Sequence, residues 1–224
     1  GTKKLADITF DDIDILYSFS PSREDIGDTE MRPLFQSISS LDFKKNTIVI
    51  DTHMLLESSS FFFIVSSGEF RGKKNNQLRM GGCPIVFTDN VQSFTFSNIV
   101  VREPYNMITK ATAPARFCLN NVEFIFYNEC IILADTVFIK NFVDVQPFSG
   151  IKTLVINNNL KLGPGATLNF RSLASLSVNK IYSDDQSSSI IMDTGVLTFL
   201  STSTSLFVFQ NIYRNNAPGI GQLI

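Results

Sequence analysis

The stretch FTFSNIVV at residues 94–101 decides the fold: an alternating apolar strand runs into an asparagine, and a second apolar strand follows at once. The five-residue pattern apolar–x–apolar–x–Asn recurs at residues 124–128 (FIFYN), 154–158 (LVINN) and 207–211 (FVFQN), with a degenerate copy at 176–179 (LSVN). The first three copies are 30 residues apart. Self-similarity at a period of about 20 to 50 residues is typical of stacked-repeat proteins. The chain is therefore predicted to stack strand–Asn–strand units.

An asparagine at each bend has a physical reason. A chain that turns sharply between two strands without a hairpin needs a residue in the left-handed region, which Asn adopts at lower cost than any residue except Gly. Amide side chains that lie one above another can also hydrogen-bond along the stack. We predict equivalent bends at Asn98, Asn128, Asn158 and Asn211, and a stack of interior side chains formed by Phe96, Phe126, Ile156 and Phe209.

The pattern resembles the right-handed parallel β-helix of pectin-lyase-like proteins, in which an Asn ladder occupies the bend between two strands of each coil. The resemblance covers about residues 60–213. It implies an all-β fold, a right-handed parallel β-helix (β-solenoid). A β-sandwich or jelly roll is the alternative; it would need hairpin turns, and the Asn-Gly and Asp-Gly dipeptides typical of tight hairpins are absent from the sequence.

Residues 1–45 differ in composition from the rest of the chain. They hold nine of the 21 acidic residues and lack the Asn repeat. We interpret them as an acidic N-terminal cap or first coil, whose charges keep other chains from pairing with the open end of the stack. Residues 46–224 are predicted to form the coils, within one domain. The polar segments around 71–80 and 103–116 are predicted to be projecting loops, where function usually lies.

Charge and hydropathy exclude two classes of partner. The net charge is −2 and no basic run exceeds two residues, so nucleic acid is not expected as a partner. No stretch approaches 18 apolar residues, and the densest one, at 61–65, is predicted to be a buried strand, so we expect no membrane span in this segment. The absence of any N-x-[ST] acceptor favours a bacterial or non-glycosylated protein.

The three cysteines, Cys83, Cys118 and Cys130, are too few for a disulfide-dense scaffold, and an odd number leaves at least one unpaired within the chain. We interpret them as buried thiols. A bridge between two of them is the alternative. No histidine or second cysteine stands at ligand spacing, so no metal site is expected there.

Paired carboxylates are the first candidates for chemistry, because many β-helix proteins act on polysaccharides. A glycosidase needs two carboxyl groups held about 5–10 Å apart across the sugar. Two clusters exist: Asp184 with Asp185, and Asp11 and Asp12 with Asp14. Neighbouring acids within one turn are usually a solvated turn. The N-terminal cluster lacks the Gly and the terminal Glu of a Ca²⁺ loop, so neither cluster is assigned a catalytic or metal-binding role.

Three further features are read as structural. His53 precedes an apolar strand, and no Ser, Cys or Asp partner is suggested by spacing. The Gly-Pro-Gly turn at 163–165 lacks the Lys-Ser/Thr and the helix of a phosphate loop. The Ser/Thr run at 201–205 is interpreted as a hydroxyl-lined solvent face. We therefore expect no catalytic residue, metal or cofactor, and assign no binding residue.

A second resemblance concerns short motifs. Phe-x-x-Asn occurs at 87–90, 117–120 and 138–141, and a Gly-Gly element precedes Cys83. The combination is similar to the paired signature of the polymorphic membrane proteins of chlamydiae, autotransporter adhesins with a β-helical passenger; here the Gly-Gly element occurs once, with Cys83 in place of Ala. The resemblance implies a surface-exposed passenger fragment at the bacterial outer membrane, a virulence factor that binds host cells.

Two hypotheses for function follow. The first is a non-enzymatic surface or secreted binding protein, an adhesin-type β-helix passenger that contacts a host-cell receptor or glycan. The second is a polysaccharide lyase or glycoside hydrolase of the β-helix type. Three or more acids that converge with a Lys or Arg in a groove along one face would favour the enzyme. The sequence gives no sign of such a groove, so binding is preferred.

Overall fold

The computed structural model describes residues 15–17, 40–41, 45, 47–50, 54–55, 62–73, 76–80, 84–88, 90–104, 107–109, 116–183, 187–200 and 212–214. Over these residues the chain is all-β, with 20 strands and no helix. Every pairing between those strands is parallel. The protein is a parallel β-solenoid, which confirms the predicted fold class. A hairpin-built sandwich or jelly roll would need antiparallel pairs.

The strands are short, and most span one side of the coil. In chain order they are β1 (Ile15–Tyr17), β2 (Ser40–Leu41), β3 (Thr47–Ile50), β4 (Met54–Leu55), β5 (Phe62–Ile64), β6 (Gly68–Gly72), β7 (Gln77–Arg79), β8 (Ile85–Phe87), β9 (Ser93–Arg102), β10 (Met107–Thr109), β11 (Arg116–Phe126), β12 (Cys130–Leu133), β13 (Thr136–Ile139), β14 (Phe142–Pro147), β15 (Lys152–Leu162), β16 (Thr167–Phe170), β17 (Ala174–Ser183), β18 (Ser189–Met192), β19 (Leu197–Phe199) and β20 (Ile212–Arg214).

Pairing between coils sorts these strands into three faces. Face 1 stacks β2, β5, β8, β10, β12, the first halves of β15 and β17, and β19. Face 2 stacks β1, β3, β6, the first halves of β9 and β11, β13, and the second halves of β15 and β17. Face 3 stacks β4, β7, the second halves of β9 and β11, β14, β16, β18 and β20.

Each coil runs from face 1 through face 2 to face 3, and its length sets the true repeat. Side-chain hydrogen bonds between neighbouring coils join residues 21 to 25 positions apart. The predicted 30-residue spacing is longer than this by about one face. A sequence pattern that recurs after one coil plus one face moves to the next corner each time.

The predicted equivalence of the motif asparagines is therefore wrong. Asn98 lies at the corner between faces 2 and 3, where β9 crosses it. Asn128 follows the face-3 part of β11 and precedes β12 of face 1. Asn158 lies in the bulge of β15 between faces 1 and 2. Every corner needs a polar bend residue after an alternating strand, so the motif recurs at all three corners. Asn211 lies outside the described residues.

An amide ladder does exist, at the corner between faces 2 and 3. Asn98 and Asn121 have φ values of 50° and 54°, as expected for asparagine in the left-handed region. Asn121 Nδ2 donates to Asn98 Oδ1 at 3.1 Å, and Asn141 Nδ2 donates to Asn120 Oδ1 at 2.6 Å. Gly72 lies in the preceding coil, where a Cβ would stand 2.2 Å from the carbonyl oxygen of Asn98. The predicted ladder is thus real, but its members are 21 to 23 residues apart.

The interior follows from the two-residue period of the strands, which sends alternate side chains inward. Phe96, Phe126 and Ile156 are all buried, as predicted, but they belong to faces 2, 3 and 1 and do not form one stack. Phe96 instead stacks on Phe70 of the preceding coil, with ring centroids 5.9 Å apart and planes at 13°. Burial of each such side chain contributes about 1.5–3 kcal/mol. Phe209 lies outside the described residues.

Two regional predictions meet the structure only in part. Within residues 1–45, β1 and β2 pair with β3 and β5, so both strands continue the stack. The acidic cap and its boundary at residue 45 stay predictions. The predicted projecting loops at 71–80 and 103–116 are partly wrong, because β7 and β10 belong to faces 3 and 1. The apolar residue at the centre of β7, Leu78, is fully buried and anchors that strand to the core.

Candidate functional site on face 3

Most residues suspected from the sequence lie outside the described residues: Asp11, Asp12, Asp14, His53, Cys83, Asp184, Asp185 and the run at 201–205. The described turn at 163–165 is structural, as expected. Gly165, with φ of 65°, donates its backbone N–H to Ser187 Oγ at 2.8 Å. That bond ties the corner to the next coil.

Cys118 and Cys130 are free thiols in different parts of the coil. Cys130 is completely buried on face 1, and burial raises the pKa of its thiol far above the usual range. Cys118 points outward from face 2 and is half-buried; burial also raises its pKa, against the smaller opposing effects of Arg116, Thr95 and Lys140. Both thiols are therefore protonated and weakly nucleophilic at neutral pH.

The Phe-x-x-Asn elements do not occupy equivalent positions. Phe117 is buried in face 2, whereas Phe138 of the next coil is paired one position later, opposite Cys118, and points outward. A one-residue shift in a strand reverses the direction of the side chain. Asn120 and Asn141 nevertheless meet in the amide ladder. The motif therefore reflects local strand composition more than a repeating structural unit.

The outward side chains of face 3 form two parallel columns, with neighbours in each column about 4.8 Å apart at the backbone. The first column contains Gln77, Val100, Glu123, Asp144, Asn169 and Ile191. The second lies two residues further along each strand and contains Arg79, Arg102, Ile125, Gln146, Arg171 and Asp193.

Asp144 is the centre of a polar network on this face. Its residue is only 2% exposed. Oδ1 accepts a hydrogen bond from Asn169 Nδ2 at 2.7 Å, and Oδ2 accepts one from Arg171 Nε at 2.7 Å, with Arg171 Nη2 at 2.6 Å. The hydrogen bond and the charge of Asp144 raise the pKa of Arg171. In the preceding coil, Gln146 Nε2 donates to Glu123 Oε1.

A groove of about 450 Å³ lies beside this network. It is lined by Gln146, Pro147, Asn169, Phe170, Arg171, Ser172 and Asp193. Ser172 Oγ donates to Asp193 Oδ2 across consecutive coils. Arg171 extends its side chain into solvent, with 57% of it exposed. The groove thus presents amide, hydroxyl, carboxylate and guanidinium groups on a rigid sheet.

An exposed apolar corner flanks the groove on its Pro147 side. The rings of Tyr127 and Phe148 stack with centroids 4.4 Å apart and planes at 13°. Tyr127 is anchored because its hydroxyl oxygen accepts a hydrogen bond from Arg102 Nη2 at 2.9 Å. Phe148 is 62% exposed, and Ile151 nearby is 71% exposed. Large exposed apolar residues on a soluble surface mark interaction sites when they cluster.

A second polar groove, of about 500 Å³, lies on face 2 and is centred on Glu69. The carboxylate accepts hydrogen bonds from Arg71 Nε at 3.1 Å and Nη2 at 2.9 Å, from Thr47 Oγ1 at 3.1 Å and from Ser97 Oγ. Burial acts to raise the pKa of Glu69. The hydrogen bonds from Arg71, Ser97 and Thr47 and the charge of Arg71 outweigh burial, so the pKa lies below its usual value.

The described residues contain no group of three or more His, Cys, Asp or Glu arranged to hold a metal ion. In that same part of the chain, no helix is long and apolar enough to cross a membrane. The chemistry that the face-3 groove offers is non-covalent: hydrogen bonds and charge from the groove, and apolar contact from the corner.

No protein family model, curated protein or solved structure matches this chain.

The sequence prediction did not find the face-3 groove. Its members are separated by a full coil, so they become neighbours only when the coil length is known. Asp144 and Asn169 are 25 residues apart, and Asp144 and Arg171 are 27 apart. With a 30-residue repeat these residues do not align. The signal was present in the in-register copies of the opening pattern at 117–121 (FCLNN) and 137–141 (VFIKN), which follow the copy at 94–98 after one and two coils.

Proposed function

We propose that this protein is a non-enzymatic surface or secreted binding protein that contacts glycans through the face-3 groove and its apolar corner. The observation that supports the proposal is the exposed, stacked pair Tyr127–Phe148 beside a groove lined by polar side chains. Ligand sites combine apolar and aromatic surface with a few fixed polar groups. A sugar ring has the matching surface, with an apolar C–H face and a rim of hydroxyl groups.

The rigidity of the site favours binding without rearrangement. Asp144 holds Asn169 and Arg171 in place through both carboxylate oxygens, and Arg102 holds the ring of Tyr127. Groups that are fixed before binding lose little conformational entropy when the ligand arrives. An adhesin-type passenger at the bacterial surface, with host-cell glycans as ligands, is the biological setting that we propose for this site.

The alternative, a polysaccharide lyase or glycoside hydrolase, has one observation in its favour. Glu123 and Asp144 are paired in consecutive coils of face 3, so two carboxylates lie on the same side of the sheet. Asp144 is buried, however, and both of its oxygens already accept hydrogen bonds. A catalytic acid or nucleophile must reach the glycosidic bond. The arrangement therefore supports binding better than bond cleavage.

The test is a glycan-array screen followed by calorimetric titration of the best neutral ligand. Phe148→Ala should weaken binding about fivefold to tenfold, because it removes the exposed ring of the pair. Phe142→Ala is the matched control: Phe142 is also exposed, at 45%, but lies at the other end of its strand, at the corner between faces 2 and 3. Equal losses in the two variants, or no glycan binding at all, would refute the assignment.

An activity assay on acidic polysaccharides separates the two functions. We expect no depolymerisation. Cleavage that disappears in Glu123→Gln, or in Asp184→Asn or Asp185→Asn, would establish the enzyme in place of the binding protein.

A further inference from the structure

Face 2 carries a different exterior in the coils that run from β11 to β17. Register places the outward residues in three columns: Arg116, Thr136, Asn159 and Lys180; then Cys118, Phe138, Lys161 and Tyr182; then Asn120 and Lys140. Each of these four coils contributes one cation. None of the outward positions in the three columns is an acid. Arg116, Phe138, Lys140, Lys161, Lys180 and Tyr182 are together termed the basic strip.

The cations of the basic strip are arranged around two aromatic rings. The guanidinium carbon of Arg116 lies 4.2 Å from the ring centroid of Phe138 in the next coil. Lys161 Nζ and Lys180 Nζ lie 5.7 and 6.0 Å from the ring centroid of Tyr182. A cation over an aromatic face is held by the ring quadrupole within about 6 Å. The rings therefore keep positive charge on the face without a carboxylate partner in the columns.

The spacing of the strip suits an extended ligand. Parallel strands in neighbouring coils are about 4.8 Å apart, so four consecutive coils spread their cations over about 14 Å along the axis. The uncharged side chains between the cations, Asn120, Thr136 and Asn159, can donate and accept hydrogen bonds. Asp135 lies at the edge of the face, where its carboxylate accepts a hydrogen bond from Thr136 Oγ1 at 3.1 Å.

We propose that the basic strip is a second binding site, for an anionic glycan chain that bears sulfate or carboxylate groups. Its ammonium and guanidinium groups would pair with the anionic substituents, its amide and hydroxyl groups with sugar hydroxyls, and the exposed parts of its rings with C–H faces. The proposal goes beyond the face-3 groove and does not depend on it, because the two sites share no residue.

A glycan fits the strip better than a nucleic acid does. Single-stranded nucleic acids also bind grooves that combine cations with aromatic rings. They carry one phosphate per nucleotide, however, and their affinity rests on many neutralised phosphates. The strip offers four cations on a chain whose net charge is −2, so long-range attraction to a dense polyanion is weak. The hydrogen-bonding groups between the cations favour a ligand rich in hydroxyls and sparse in charge.

The experiment measures the affinity of the full 224-residue chain for four probes: a sulfated heparin-type oligosaccharide, an oligogalacturonate, a neutral cello-oligosaccharide and an oligothymidylate. Binding of the first, the second or both is expected, and the pair distinguishes sulfate from carboxylate recognition. The affinity should fall as NaCl rises from about 50 to about 200 mM, because exposed charge pairs are screened.

Single variants then locate the site. Lys140→Gln and Lys180→Gln should each weaken binding of the anionic probe about twofold to fivefold. Lys73→Gln, at another exposed lysine on the same molecule, is the matched control and should leave it unchanged. All three are surface substitutions, and circular dichroism checks that the fold is retained.

The outcomes separate the two sites. Loss in Phe148→Ala without loss in Lys180→Gln, measured with an anionic glycan, would place that ligand in the face-3 groove and overturn the strip. Equal weakening in Lys73→Gln, tighter binding of the oligothymidylate, or no binding of either anionic glycan would also overturn it. Binding of anionic glycans that depends on the lysines would support the strip even if the neutral glycans fail to bind face 3.

Discussion

Faces 2 and 3 are built on the same strands and the same core, yet their exteriors handle charge in opposite ways. On face 3, Asp144 is buried and neutralised by Arg171, and Arg79 Nη2 lies 2.7 Å from Glu103 Oε1. On face 2, between β11 and β17, the cations lie over the rings of Phe138 and Tyr182. The solenoid fixes where outward side chains stand and how far apart they are.

The difference teaches which charges serve the fold and which are available to a ligand. A buried carboxylate whose oxygens are both occupied stabilises the sheet, and its removal leaves partners unsatisfied. A surface cation over a ring contributes little to stability, and its charge is still available to a passing anion. Stability measurements on matched variants can therefore tell the two faces apart.

The largest effect is expected in the core that both faces share. Phe126→Asp should abolish folding, because it places a carboxylate at a position with 0% exposure and removes a ring worth several kcal/mol. The control is the adjacent outward position: Ile125→Asp should fold. Far-ultraviolet circular dichroism of the two purified variants provides the measurement. A folded Phe126→Asp protein would contradict the inward assignment of this residue.

An intermediate effect is expected on face 3. Asp144→Ala should lower the free energy of unfolding by about 2 kcal/mol, since Asn169 loses its acceptor while the exposed Arg171 can be rehydrated. On face 2, Lys180→Ala should change the same quantity by less than about 0.5 kcal/mol. Urea unfolding of both variants tests the contrast between the faces. Similar losses in the two would mean that the strip, too, is a structural network.

The smallest effect concerns pH and compares two parts of face 2. The pKa of Glu69 is lowered in the folded protein from its ordinary value of 4.5. Ionised Glu69 therefore contributes stability that is present above about pH 4.5 and is lost as the pH falls through the folded-state pKa. Wild type should exceed Glu69→Gln by about 1 kcal/mol at pH 7.

The comparison with Glu69→Gln should be repeated at decreasing pH, with Lys140→Gln as the reference from the basic strip. The advantage of wild type over Glu69→Gln should disappear in acid, whereas Lys140→Gln should follow wild type throughout. A Glu69→Gln difference that stays constant down to pH 3 would mean that hydrogen-bond geometry, and not the charge of Glu69, supplies the stability.

Local sequence was sufficient to predict the class of fold. Alternation in stretches such as 94–101 defines strands, and the lack of tight-hairpin dipeptides points to parallel coils. The identity of the buried residues Phe96, Phe126 and Ile156 was also predictable, because inward and outward positions alternate whichever corner follows. These properties depend on neighbours within about ten residues.

The length of the coil was not predictable from one motif, and the sites depend on it. Asn98 resembles Asn128 in local sequence, but its amide partner is Asn121, in the next coil. The same limit applies to Asp144 and Arg171, whose contact joins two coils. A bend motif that serves all three corners cannot distinguish one face from a full turn, and a one-face error displaces every neighbour across the coils.

The parallel stack also has a consequence for how the chain reaches its native state. Contacts between coils join residues 21 to 25 positions apart, so each coil needs only its neighbour as a template. Closing a segment of this length costs about 2 kcal/mol less conformational entropy than joining the ends of the whole chain. We expect folding to start within the aromatic cluster around Phe94 and Phe96 and to spread outward one coil at a time. Unfolding should begin at the terminal coils, and amide hydrogen exchange should be slowest near the centre.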